Sequence, residues 1–335
     1  MKSWTRSVYP RLPIEHIWLL GASTSAGSAA VAAWERWQEH CQVETADLPS
    51  QAMFGMLYAR LIAGLGGPES TVLKGVYKRN WYANQLLLAI LMPLLDRLAA
   101  SGIRAIVLND VSLVAGQYPD IGYRAIRCID LLVSRVDWSN SVSLVSGEGW
   151  QEQRSKSFGS PGALSVCSFS GPGGNSLRIW TNLFAAEPLE DTEARTWHEA
   201  RSLELNGQDV LSLGPVEQLL CLSAAVFRDT DLPLHLYADA RVLLELLTST
   251  SDWVRLAWQA QRYECILPLR NLLAFLQESL SVELPSWVLP ALHKMAISHC
   301  ELLQYHRACD SLPLQFKSAC LRALRPLRRG VTRDS

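Results

Sequence analysis

Apolar positions along this chain fall into three textures. From residue 14 to about 100 they recur at helical spacing. Trp34, Trp37 and the stretch Ala52-Met53-Phe54-Gly55-Met56-Leu57-Tyr58 share such a pattern, as amphipathic helices require. Gly64 to Pro68 interrupts it. Asn84 to Ala100 then predicts a strong helix stopped by Gly102, the residue type that most readily leaves a helix C-terminus.

From about 103 to 184 the pattern shortens to β runs separated by turn residues. Candidate strands are Arg104 to Leu108, Ile129 to Val133, Leu164 to Phe169 and Leu177 to Leu183. A turn is expected at Tyr118-Pro119-Asp120-Ile121-Gly122, and Gly171 to Asn175 reads as a hairpin loop. Its glycines serve that turn, because a phosphate cradle would lead into a helix and here a strand follows. From about 186 onward the chain is expected to be helical again. Residues 215 to 226, 236 to 247, 253 to 261, 266 to 280 and 287 to 299 each show a wide apolar face, with Pro215 at a helix start. The expected fold class is α+β and α-rich: a small mixed sheet core over 101–185, flanked by N-terminal helices over 1–100 and a C-terminal helical bundle over 186–335.

Composition narrows the function classes. Of 335 residues, 49% are apolar and 19% charged, which is ordinary for a globular chain, and the formal net charge is −1. Neither nucleic acid nor a membrane surface is therefore an expected partner. The apolar run Leu86 to Leu95 is too short by itself to span a bilayer and contains Pro93, and the first residues lack a signal-peptide core. Eight cysteines show no CxxC pair and seven histidines no metal-ligand spacing, so free thiols in a reducing cytoplasm are expected. Twelve tryptophans fall singly and read as core anchors. Five arginines between Arg322 and Arg333 form a basic tail. There is no hydrolase elbow and no dinucleotide fingerprint.

One residue stands out. Asp130 is an acid inside an otherwise apolar strand, a costly placement unless a metal, a cation or hydrogen bonds compensate it. Either it is a metal ligand, or it is bonded to a neighbouring arginine such as Arg124 or Arg127. Asp110 has two readings as well: a second ligand beside Asp130, or a cap for the helix starting near Val111. Cys128, buried in a strand with no His or Lys beside it, reads as an inert thiol.

A run of motifs carries a resemblance. They are Ser101-Gly102-Ile103, Val107-Leu108, Tyr118-Pro119, Gly122-x-Arg124 and Ile129-Asp130-Leu131-Leu132-Val133, followed by Val210 to Leu219, Tyr237 to Ala240 and Ser251 to Trp253. In order and spacing they resemble a family of bacterial nucleotidyltransferases, a divergent branch of the DNA polymerase β-like superfamily, over about residues 14 to 290. Members often sit in polysaccharide or peptide natural-product gene clusters. The resemblance implies a site where an acid pair on one strand and a third acid on another hold two Mg²⁺ ions that clamp a nucleoside triphosphate.

This chain departs from that pattern at three places. Cys128 replaces the first acid, Trp180 aligns with the third, and Asn109-Asp110 replaces a Lys-Gly that would meet the phosphates. Leu73-Lys74-Gly75 spells the missing motif, but nothing acidic follows in register, and a loop before the long helix is expected there. The resemblance therefore implies a nucleotidyltransferase fold whose two-metal site has decayed, acting as a binding or accessory protein. Its partner would be a small molecule, peptide or pathway protein held between core and C-terminal helices, and no cofactor follows. The alternative is an active transferase using Mg²⁺ and an NTP, with Asp130 as metal ligand and catalytic residue, Asp110 assisting, and Arg124 and Asn109 contacting the nucleotide.

Overall fold

A computed structural model of the chain describes residues 12–62, 68–153, 166–184, 190–228 and 234–311. The basic tail and the loop glycines Gly64 to Gly67 lie outside these described residues. In chain order the elements are α1 (Ile14–Thr24), α2 (Gly27–Gln38), α3 (Leu48–Leu57), α4 (Pro68–Ala100), β1 (Ala105–Leu108), α5 (Asn109–Gln117) and β2 (Ile129–Val133). There follow α6 (Trp138–Gly147), β3 (Gln151–Gln153), β4 (Val166–Ser170), β5 (Ser176–Trp180), α7 (Glu190–Glu199), β6 (Arg201–Leu205) and β7 (Gln208–Ser212). The chain then runs through α8 (Pro215–Arg228), α9 (Leu234–Glu245), α10 (Thr250–Arg262), α11 (Ile266–Leu280), α12 (Val288–Lys294) and α13 (His299–Ser311). The fold is α+β and helix-rich, as expected. It divides into two compact units, Gln51–Cys221 and Met1–Ser50 with Leu222–Ser335. The boundaries expected near 100 and 185 both fall inside the first of these.

That unit is built on a mixed seven-stranded sheet in the order β3-β4-β5-β2-β1-β7-β6. β1 and β2 are antiparallel, while β2 pairs parallel with β5 and β1 parallel with β7. Strand β2 is buried along its whole length, which is why it reads as a nearly unbroken apolar run. Its alternate side chains Ile129, Leu131 and Val133 join Val107, Leu177 and Ile179 in one core, sealed by Leu87, Leu91 and Leu98 of α4. On the opposite face Ile106, Leu108, Leu132 and Leu213 form a smaller cluster beside Trp180 and Trp197. Asp130, between Leu131 and Ile129, must point to this second face.

Helix α4 is the scaffold of the unit. Its stretch Thr71–Ala100 is long and apolar enough to cross a membrane by length and composition. Part of it is buried in the unit's core, through Leu87, Leu88, Leu91, Met92, Leu94 and Leu98. Leu73-Lys74-Gly75 lies inside this helix rather than in a loop, with Leu73 buried and Lys74 and Gly75 exposed, which corrects the expectation above. The polar side of α4 clamps the turn after α5. Asn84 donates to the carbonyls of Ile121 and Arg124 at 2.6 and 2.7 Å and accepts from the Ile126 amide at 2.8 Å. The Tyr77 hydroxyl and the Gly122 amide both donate to Asp120, each at 2.7 Å. A β-carbon on Gly122 would come within 2.7 Å of the Tyr77 ring, so only glycine permits this approach.

A second correction concerns residues 201–212, expected to be helical. They form the β6–β7 hairpin, turning at Asn206 and Gly207 with φ of 48° and 80°. Two consecutive positive φ values are what a tight two-residue hairpin turn requires. The later helices begin and end close to expectation, except that α12 stops at Lys294, short of 299. In the helical unit α1 packs on α2, α9 and α11. Helix α10 opens with a capping box between Ser249 and Asp252. The buried Glu301 of α13 accepts from the Leu267 amide at the start of α11 at 2.6 Å.

Candidate functional site

The second sheet face converges where β1 gives way to α5. Asn109 begins the helix with φ of 49°, a left-handed conformation that asparagine adopts more easily than most residues. The reversal aims its amide across the sheet, and Nδ2 donates to Oδ2 of Asp130 at 2.9 Å.

Asp130 is fully buried, and its counter-charge comes from the neighbouring parallel strand. Arg178 stands in register opposite it on β5. The guanidinium grips the carboxylate with both arms, Nε to Oδ1 at 2.6 Å and Nη2 to Oδ2 at 2.7 Å. Trp180 donates its indole N–H to Oδ1 at 2.8 Å. Each carboxylate oxygen thus accepts two hydrogen bonds, which fills its capacity. The arginine partner is Arg178, not Arg124 or Arg127. Burial alone would lower the Arg178 pKa, but the adjacent Asp130 carboxylate more than offsets that and holds the guanidinium firmly charged.

The second acid is neutralised separately. Asp110 takes Nη2 of Arg124 at 2.7 Å and the backbone N–H of Arg127 at 3.0 Å, with the Arg127 Nε at 3.5 Å. It lies in the first turn of α5 and does not cap that helix, whose N-cap position is Leu108 without a side-chain bond. Arg124, expected from the resemblance to meet phosphate, is only 2% exposed and also donates to its neighbour's carbonyl, Ala125 O. Asn84 fixes the backbone that carries it. Cys128, at the place of the first acid, is pushed up to about 12 by burial and then by Asp130, so it remains a neutral thiol.

Magnesium prefers hard oxygen ligands, usually including one or two carboxylates. This strand face supplies one carboxylate already saturated by N–H donors, a thiol, an indole N–H and a guanidinium. Among the described residues no group of three or more His, Cys, Asp or Glu is placed to hold a metal. What the arrangement does chemically is stabilise its own charge: two buried acids, each matched by an arginine. Sequence reasoning singled out Asp130, Asp110, Arg124 and Asn109 and missed Arg178. The signal was present, since Ser176-Leu177-Arg178-Ile179-Trp180 alternates and puts a charged residue on the face that Asp130 also occupies.

With this geometry in hand, comparison with known proteins places the chain. A family model described as uncharacterised nucleotidyltransferase matches residues 49–281. The chain belongs to this nucleotidyltransferase family. The matched span includes the whole sheet and both acid–arginine pairs. No curated protein matches it. Among solved structures, an antigenic nucleotidyltransferase-like protein from Paracoccidioides brasiliensis is similar at 14% identity, covering 61% of this chain and 95% of that one. Its TM-score is 0.34. As a nucleotidyltransferase-family member, this chain is notable for where its acids point: at arginines.

Proposed function

We propose that this family member has given up two-metal nucleotidyl transfer and works as a binding or accessory protein in a biosynthetic pathway. One observation carries the reading: the Arg178 guanidinium occupies both oxygens of Asp130, the acid the resemblance assigns to metal. A fixed monovalent cation stands where an exchangeable divalent one would bind. Replacing it with Mg²⁺ would require breaking four hydrogen bonds to a buried carboxylate and relocating a charged side chain. The neutral Cys128 offers no oxygen ligand in return.

The ligand in this reading is a small molecule, a peptide or a pathway protein. Cys41, Cys128, Cys167, Cys221, Cys265 and Cys300 form no disulfide, in keeping with a reducing compartment such as the cytoplasm. The test is calorimetric titration with ATP, GTP, CTP and UTP in the presence of Mg²⁺, for the native chain and for Asp130→Ala. We expect no Mg²⁺-dependent binding of any of the four. Micromolar binding that needs Mg²⁺ and disappears in Asp130→Ala overturns the proposal and restores the active-transferase reading.

A further inference from the structure

A cavity of about 240 Å³ lies in the sheet-bearing unit, away from Asp130. Its walls come from α4, the end of α5, the clamped turn after it and the tip of the β6–β7 hairpin. Leu88, Ala115 and Ile121 make part of its lining apolar, Trp81 and Tyr118 supply aromatic rings, and Asp120 and Glu204 are its ionisable residues. Among the described residues no lysine, arginine or histidine lines it.

The charge balance here differs from that of the Asp110 and Asp130 site. Asp120 takes both its hydrogen bonds, from Tyr77 and the Gly122 amide, on Oδ1, leaving Oδ2 without a partner among the described residues. Glu204 is exposed and stands opposite another acid, Asp209, across the hairpin. Like charges facing each other across an antiparallel pair are unfavourable. Asp209 is bonded to Ser202 rather than to a cation. The cavity therefore combines aromatic rings with negative charge that forms no ion pair among the described residues, two features that together favour a cation. It is also preformed. Tyr77 and Asn84 pin the turn that supplies Tyr118 and Asp120, so little ordering accompanies binding.

We infer that this cavity binds a small organic cation, an ammonium group on a short apolar body. The volume is below that of drug-sized sites and suits a ligand of that class.

The experiment uses choline as probe, titrated into the full-length protein by calorimetry and followed by NMR. Its uncharged isostere, with carbon in place of the quaternary nitrogen, is the control. Choline should bind at least about tenfold more tightly than the isostere, and Trp81→Leu should weaken choline by about tenfold, the scale of one desolvated cation–π contact. Glu204→Gln, on an exposed strand position, should weaken it severalfold with an unchanged circular dichroism spectrum. Salt should weaken binding as well. Equal affinity for choline and the isostere, no detectable choline binding, or choline binding insensitive to both substitutions each overturns the inference.

Discussion

Replacing Arg178 by methionine should destabilise the protein far more than replacing its partner Asp130 by asparagine. The asymmetry follows from exposure: the Asp130 side chain is 1% exposed, whereas that of Arg178 is 40% exposed. Arg178→Met strands a buried carboxylate with only Trp180 and Asn109 as donors. Breaking a buried ion pair in this way costs roughly 3–5 kcal/mol. Asp130→Asn leaves the guanidinium a route to solvent, and the amide still accepts from Trp180, so roughly 1–2 kcal/mol is expected. The double substitution removes the stranded charge and should recover part of the loss, giving a coupling of at least about 1.5 kcal/mol. Urea denaturation of the four proteins measures this directly, provided the m-values agree. Strictly additive effects, or a neutral Arg178→Met, would refute the reasoning and leave Asp130 free to hold a metal.

Glu301 gives a pH test of opposite sign to the usual carboxylate. Burial first, and then Glu264, raise it to about 7 against the favourable amide bonds from Leu267 and Ile266 and the charge of Arg270. Because its folded value lies above the ordinary 4.5, its contribution is full below that pH and is lost as pH rises through about 7. Glu301→Gln should therefore match the native protein at pH 4.5 and exceed its stability at pH 8, by denaturant titration. Cys128 should resist iodoacetamide at pH 8 until the protein unfolds, while exposed Cys300 reacts, as peptide mass mapping will show. Gly207→Ala forces a side chain into φ of 80° and should lower stability by about 1 kcal/mol, seen as a lower urea midpoint.

Much of the sheet-bearing unit was legible because its elements obey local rules. The strand Ile129 to Val133 agrees residue for residue with expectation, since a central strand buried on both faces reads as an apolar run, here broken only by Asp130. The β6–β7 hairpin was missed although Leu203-Glu204-Leu205-Asn206-Gly207 contains the strongest short hairpin signal, an Asn-Gly between alternating residues. The apolar helix after Pro215 drew the reading toward α structure. β3 was missed for another reason: Gln151-Glu152-Gln153 is an exposed polar edge that pairs only because β4 is there to receive it.

At the candidate site, the anomaly of Asp130 was visible and its resolution was not. Which arginine meets which acid depends on strand order, and sequence proximity favoured Arg124 and Arg127 over Arg178. Only the parallel pairing of β2 with β5, across 48 residues, brings Arg178 to Asp130. Asp110 misled in the same way, because its helix-starting position suited a cap while the clamped turn behind it delivered an arginine.

The parallel pairing of β1 with β7 has a consequence for how this protein comes into being on the ribosome. β1 is complete at residue 108, but its partner strand is not finished until Ser212. For the intervening hundred or so residues, nascent β1 keeps one hydrogen-bonding edge open, and an open apolar edge is a template for pairing with other chains. Fragments ended near residue 185 should accordingly aggregate more readily than the full-length chain.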